Sequence, residues 1–395
     1  MENPLKQRQF LIGTYILAPY ARTEAHIRDL AACGIDFVAG VDYDKTMLDL
    51  FLQYRVGALV NGVVPGWWGG DGSNAGTRHQ SYKPEQYELA GERFVDHPAV
   101  WGIDVGDEPA AADLPCFGKI IRKVEQLFPN QIPYLNLYPS YGRIATNTPE
   151  EVRRQLGSET YAGYIDAYCE AVETDYICYD HYLYTSSPEA ALQDLETVSE
   201  ACRRCGRRMW IVLQVNSRNP EQFISENQLR FQAYSAMAYG AETILWACYT
   251  AGWFHNQVLD KQGEKTEQYG KLQTVNLELK CLAPHFMRYR NVKTHSVGMQ
   301  EISFPGDISG FRERTGARLL VGEMVSRDGF GGQALMICAA QDPMDVSPEI
   351  HTVQFHSQRQ TMTLITGSEV RTLRPDGQGI YRFDLLSCHG ALLFA

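Results

Sequence analysis

Between residues 10 and 250, short β-rich runs alternate with stretches of helical period, and the alternation repeats eight times. The runs are FLIGTYI (10–16), FVAGV (37–41), GALVNG (57–62), VWGIDVGDEP (100–109), IPYLNLYP (132–139), YICYDHYLY (176–184), MWIVLQVN (209–216) and TILWACY (243–249). Between them lie segments such as TEAHIRDLAACG, CFGKIIRKVEQLF and NQLRFQAYSAMAYG, whose apolar residues recur at helical spacing. Gly34, Gly206 and Gly240 close such segments, as a residue just past a helix end should. The middle runs are apolar almost without interruption, which marks parallel strands covered on both faces. Eight βα units in about 250 residues is the size of a (β/α)8 (TIM) barrel. The sequence predicts that fold, α/β in class, for residues 1–290.

From residue 291 the character changes. ARLLVGEMV, QALMICAA, TVQFHSQ, QTMTLITG, IYRFDLLS and GALLFA alternate apolar and polar residues between glycine-marked turns, which predicts a small antiparallel β-sandwich over 291–395. A chain of 395 residues accommodates one large barrel and such an appendage. The first residues hold no basic segment followed by an apolar one, and no run of 18 apolar residues occurs, so a cytoplasmic protein outside the membrane is expected. The ten cysteines fall mostly inside predicted elements (Cys33, Cys169, Cys178, Cys248) and read as small buried hydrophobes in a reducing compartment. Cys202 and Cys205 make one C-x-x-C with no second pair, a weak sign of zinc. No metal and no cofactor are expected. A formal charge of −11 argues against nucleic acid or an anionic membrane as partner and suits a neutral small molecule. A homo-oligomer is compatible with all of this.

In a (β/α)8 barrel the active site lies at the C-terminal ends of the strands. The second run delivers Asp42 and Asp44 there, the third Asn61 followed by Trp67 and Trp68, and the fourth Asp107 and Glu108. Asn136 and Tyr138 end the fifth run; Asp180, His181, Tyr182 and Tyr184 end the sixth. Gln214 and Asn216 come from the seventh, Trp246 and Tyr249 from the eighth. This rim is acidic, amide-bearing and aromatic, with one histidine and neither lysine nor arginine. A phosphate site wants a Gly-rich loop with a cation near the last two strands, and a metal centre wants histidines from several strands. A sugar site wants carboxylates for proton transfer, amides for hydroxyl groups and aromatic platforms. Glycosidic cleavage needs one acid for the leaving oxygen and a second carboxylate as nucleophile or base.

Glu108 is the candidate acid and Asp180 the candidate second carboxylate. Simple alternation places Asp107 on the opposite side of the strand from Glu108, so one of the two should face the mouth. Asp42, Asn61, Trp67, Trp68, Asp107, Asn136, Tyr138, His181, Tyr182, Gln214 and Trp246 are candidates for contacting the sugar. Plainer readings stand beside these: D-E-P as a solvated entry to a helix, Asp180 as a loop hydrogen-bonder, His181 as a core residue, and each tryptophan as packing. The glycine-rich, polar stretch PGWWGGDGSNAGTRH (65–79) is long for a connection inside a compact domain, and such loops are usually functional or mobile.

WGIDVGDEP, NLYPSY, YDHYLY, LRFQAYSAMAYGAETILW and DKQGEKTEQYGKLQTVNLEL, spread in order over residues 10–290, resemble bacterial glycoside hydrolases of clan A with a family-42-like, β-galactosidase-type barrel. That resemblance implies O-glycoside hydrolysis and an acid/base role for Glu108. It also implies a glutamate nucleophile at the end of strand seven, where this chain has Gln214. An amide cannot be the glycosyl nucleophile, so the second carboxylate must come from elsewhere, with Asp180 favoured over Asp42, Asp44 and Asp107. Two further readings of the same barrel remain: a sugar lyase or metal-dependent sugar-modifying enzyme built on Asp180-His181, and a carbohydrate-binding protein without catalysis.

Overall fold

The computed structural model describes residues 2–142, 148–250, 252–305, 307–329, 332–340 and 349–395. Eight strands form one parallel sheet: β1 (Leu11–Tyr15), β2 (Phe37–Val41), β3 (Gly57–Val60), β4 (Val100–Asp107), β5 (Ile132–Asn136), β6 (Tyr176–Asp180), β7 (Arg208–Gln214) and β8 (Ala241–Ala247). Their order in the sheet is β5-β4-β3-β2-β1-β8-β7-β6. The two ends meet just past β5, where the Leu137 N–H donates to the Cys178 carbonyl at 2.9 Å and Leu137 bridges to Tyr179. The fold is the (β/α)8 barrel, and each of the eight runs is one of its strands.

Side chains of alternate residues fill the barrel. Phe37, Leu59, Tyr134, Tyr176, Trp210, Val212 and Leu245 belong to one buried cluster, with Tyr176 and Trp210 stacked at 4.2 Å between ring centroids. Leu5 joins this cluster from the N-terminal segment. Arg208, the first residue of β7, holds that segment by donating to the carbonyls of Leu5 at 2.8 Å and Gln7 at 3.1 Å. The strands' N-terminal end is thereby plugged, and chemistry is left to the other end.

Helix starts are set by side chains that accept the orphan N–H groups of the first turn. Thr23, Asp44, Thr160, Ser187 and Ser225 each do this. Asp44, one of the rim acids of strand two, is therefore committed to the helix Lys45–Tyr54, whose Met47 N–H it accepts at 3.2 Å.

By internal contacts the chain divides into two units, Met1–Phe223 with Thr243–Tyr269, and Ile224–Glu242 with Gly270–Ala395. The second unit contains a β-sandwich. One sheet has the order Ile302–Phe304, Ile308–Glu313, Ile350–His356, Ile380–Leu386. The other runs Val370–Leu373, Met362–Thr366, Gly390–Phe394, Gln333–Ala339, Leu319–Ser326, Tyr289–Val297. Among the described residues these strands pair antiparallel. Phe311, Phe355, Tyr381, Ile337 and Leu393 lie in the core between them. Helix Glu226–Ala238 is buried at every residue from Gln228 onward. It abuts the strand Leu319–Ser326 so closely that a Cβ on Gly322 would fall 2.1 Å from the Ala238 carbonyl oxygen.

Among the described residues no helix is long and apolar enough to cross a membrane. All ten cysteines are free thiols, and Cys33, Cys178, Cys202, Cys248, Cys338 and Cys388 are buried.

Candidate active site

The end of β4 departs from regular strand geometry. Asp104 pairs with Tyr134 and Gly106 with Leu135, so Val105 is an extra residue on this strand. Gly106 then adopts φ 151° and Glu108 φ 47°. A bulge resets the alternation of side chains, and the left-handed backbone at Glu108 turns the chain again. Asp107 and Glu108 consequently both line one pocket. The expectation that they face opposite sides fails for that reason.

The 65–79 stretch begins as an extension beside β4. The Asp107 N–H donates to the Trp67 carbonyl at 2.9 Å, and the Gly69 N–H donates to the Asp107 carbonyl at 3.0 Å. A Cβ at Gly69 would fall 1.6 Å from the Glu108 carbonyl oxygen, so glycine alone permits this approach. Trp68 is thereby set against Glu108, its indole Nε1–H donating to Oε2 at 2.6 Å.

Two more carboxylates meet at Asn136, the last residue of β5. Its Nδ2 donates to Asp107 Oδ1 at 3.0 Å and to Asp180 Oδ1 at 2.8 Å. Its Oδ1 accepts the Cys178 thiol at 3.6 Å, which fixes which way the amide points. Burial pushes Asp107 up to about 6, partly offset by the Asn136 donor. Burial, then the charge of Asp107, holds Asp180 well above the usual carboxylate range. Asp104, one turn of the pleat deeper, is pushed up to about 7 by the same two causes in the same order.

The pocket has a volume of about 630 Å³ and is lined by Tyr15, Trp68, Asp107, Glu108, Asn136, Asp180, Tyr182, Arg218, Trp253, Phe254 and His255. Tyr15 and Tyr182 each lie 6.2 Å from the Trp253 ring, and Tyr182 meets Phe254 edge-on at 5.2 Å. Trp68 and Trp253 are each 49% exposed. Large aromatics left half open in a polar pocket suit a ligand with flat apolar faces and polar edges.

Of the residues expected from the sequence, Glu108, Asp180, Asp107, Asn136, Trp68 and Tyr182 come together here. The others are placed differently. Trp67 stands edge-on to Phe117 and carries the Arg78 guanidinium over its ring. Trp246 is buried in the wall of β8, its carbonyl accepting from Thr14. Tyr138 is buried and donates to the Gly70 carbonyl at 2.7 Å, a support for the Trp68 loop. His181 is buried with one ring nitrogen 2.7 Å from Asp194 and the other 2.6 Å from Ser186, so neither is open to a ligand. Gln214 accepts the Tyr184 N–H at 3.0 Å and donates to the Asn216 carbonyl at 2.9 Å. Asn61 donates to an exposed Asp42 at 3.4 Å, and neither lines the pocket.

Five lining residues escaped the sequence reading. Tyr15 ends β1, where the survey of strand ends had no candidate. Arg218 lies just beyond β7, and Trp253, Phe254 and His255 lie beyond β8. The rim therefore has an arginine after all, and its histidine is His255 and not His181; loops contribute both. The signal was available in NSRNP and GWFHNQ, one step past the strands.

No protein-family model matches the chain, and no curated protein is similar to it. Solved structures are similar to it at low identity. A candidate α-L-fucosidase from Bacteroides thetaiotaomicron is 12% identical with a TM-score of 0.49, over 69% of this chain and 94% of that one. Xylanase 10B from Thermotoga maritima is 12% identical with a TM-score of 0.44, over 68% of this chain and 95% of that one. A family 5 mannosidase from Rhizomucor miehei is 11% identical with a TM-score of 0.40, over 68% of this chain and 92% of that one. Identities and scores this low say nothing about substrate or residues.

Proposed function

We propose that the chain is an O-glycoside hydrolase acting on a short glycoside, with Glu108 as general acid and Asp180 as nucleophile or base. The observation that carries this reading is the convergence of three strand-end carboxylates and two half-exposed tryptophans in one pocket. Glu108 gives its proton to the leaving oxygen as the glycosidic bond breaks. Asp180, oriented by Asn136, faces the positive charge that grows on the sugar ring and either bonds to the anomeric carbon or takes a proton from water. Asp107 shares the Asn136 amide and sets the charge of the pair. Trp68 and Trp253 form the walls against which sugar rings stack.

The missing strand-seven carboxylate fits this assignment. Gln214 is spent on loop backbone, while β6 supplies an acid at the same mouth. With both His181 nitrogens occupied, the metal-dependent alternative loses the ligand it was built on. A cytoplasmic enzyme with a catalytic barrel over 1–290 and an accessory sandwich over 291–395 accords with this reading, as does the family-42-like resemblance, which makes aryl β-galactosides the first substrates to try. The test is turnover of aryl glycosides by wild type and Asp180→Asn. Hydrolysis of one sugar class, slowed about a hundredfold or more in the variant, supports the assignment. Unchanged turnover in the variant overturns it, and absence of turnover in both returns the chain to the non-catalytic sugar-binding reading that Gln214 first suggested.

A further inference from the structure

We infer that the glycoside carries a carboxylate, as a uronic acid does, and that Arg218 and His255 hold it at the rim; this rests on the glycosidase reading of the same pocket. Arg218 lines the pocket with Asp107, Glu108 and Asp180, yet among the described residues no carboxylate pairs with it. Other arginines with little exposure have partners: Arg208 pairs with Asp175, Arg230 with Glu278 and Arg327 with Glu242, while Arg78 and Arg207 donate to backbone carbonyls. An exposed guanidinium facing a pocket without its own acid offers a fork of N–H donors matched to a planar carboxylate.

The cation is also held on a stiff support. Ser217 and His255 exchange backbone hydrogen bonds, 3.1 Å in one direction and 2.8 Å in the other. Asn256, at φ 60°, reaches back to Ser217 Oγ at 2.9 Å and to the carbonyls of Asn219, Pro220 and Gln222 at 3.2–3.3 Å. The loops after β7 and β8 are thus stitched together on both sides of Arg218, and His255 lines the same wall. With the loop backbone fixed in advance, binding an anion orders little beyond the Arg218 side chain itself. A net charge of −11 describes the whole surface, whereas a ligand meets the local groups, so the expectation of a neutral substrate is replaced by this one.

The test compares 4-nitrophenyl glucuronide and galacturonide with the matching glucoside and galactoside, which differ only at carbon 6. Wild type is expected to favour the uronide by about ten- to a hundredfold in kcat/KM. Arg218→Gln should collapse that ratio through KM, and Arg218→Lys should restore part of it. Equal turnover of acid and neutral twins, or a ratio unmoved by Arg218→Gln, overturns the inference. A 6-O-sulfated galactoside preferred over the uronide overturns the carboxylate assignment in favour of sulfate. If nothing is hydrolysed, the hydrolase reading fails separately. Calorimetric binding of glucuronic and galacturonic acid against glucose and galactose then still decides: tighter acid binding, lost in Arg218→Gln, sustains the carboxylate site, and equal or absent binding sinks it.

Discussion

Asp107 and Asp180, from neighbouring parts of the barrel mouth on β4 and β6, are joined through one amide nitrogen, Asn136 Nδ2, at 3.0 and 2.8 Å. Two carboxylates this close in a buried setting resist being charged together. The amide partly relieves that resistance by donating one N–H to each. Asn136 therefore governs the ionisation of the pair, whose protons leave in steps that belong to both residues.

Replacing Asn136 with Ala removes both donors. If the ionised pair is needed for turnover, kcat/KM falls on the acid side as the pair takes up its first proton, above the usual carboxylate range and in a step that belongs to both residues. In Asn136→Ala that limb moves up by about one pH unit, because the charged forms lose a hydrogen bond each. A pH–rate profile checks this. An unmoved limb would separate Asn136 from the titration.

Asp104 gives a stability signature. Its native value of about 7 lies above its ordinary 3.8, so the folded state binds its proton more tightly than the unfolded chain does. Its contribution is full below about pH 4 and is lost as pH rises toward 7. Asp104→Asn, which keeps an acceptor for the Gly106 N–H, should match wild type near pH 4 and exceed it by about 1–3 kcal/mol at pH 8. Urea unfolding at the two pH values reads the difference.

Glu108 is held in left-handed backbone at φ 47°, a conformation that costs an L-residue roughly 1 kcal/mol. Glu108→Gly relieves this and removes a carboxylate from an acidic cluster. The variant is expected to melt at or above the wild-type temperature while losing activity. A lower Tm would show that Glu108 is there for the fold.

The barrel was legible because helical and strand periods differ and eight alternations leave few other folds. The sandwich was legible from its own alternation. Site residues that end strands regularly, such as Asp180 and Asn136, were legible for the same reason. Asp107 was misplaced because a bulge at Val105 is a pairing property, set by β5 as much as by β4. Trp67 and Trp68 are adjacent and alike in sequence, and only the pairing of their segment with β4 sends one to Arg78 and the other to Glu108. Gln214 and His181 were assigned to the mouth by position, but Gln214 is consumed by loop backbone and His181 by Ser186 and by Asp194 of the helix Pro188–Cys205, which no local pattern reveals. Arg218 and His255 sit on two loops that meet only after folding.

The central claim is that Glu108 protonates the leaving oxygen, and leaving-group dependence tests it most directly. Wild type and Glu108→Gln are compared on alkyl or sugar leaving groups, which need a proton, and on dinitrophenyl leaving groups, which do not. The variant should be slower by about a hundred- to ten-thousandfold on the first and far less impaired on the second. A variant that turns over the first group as fast as wild type would contradict the account.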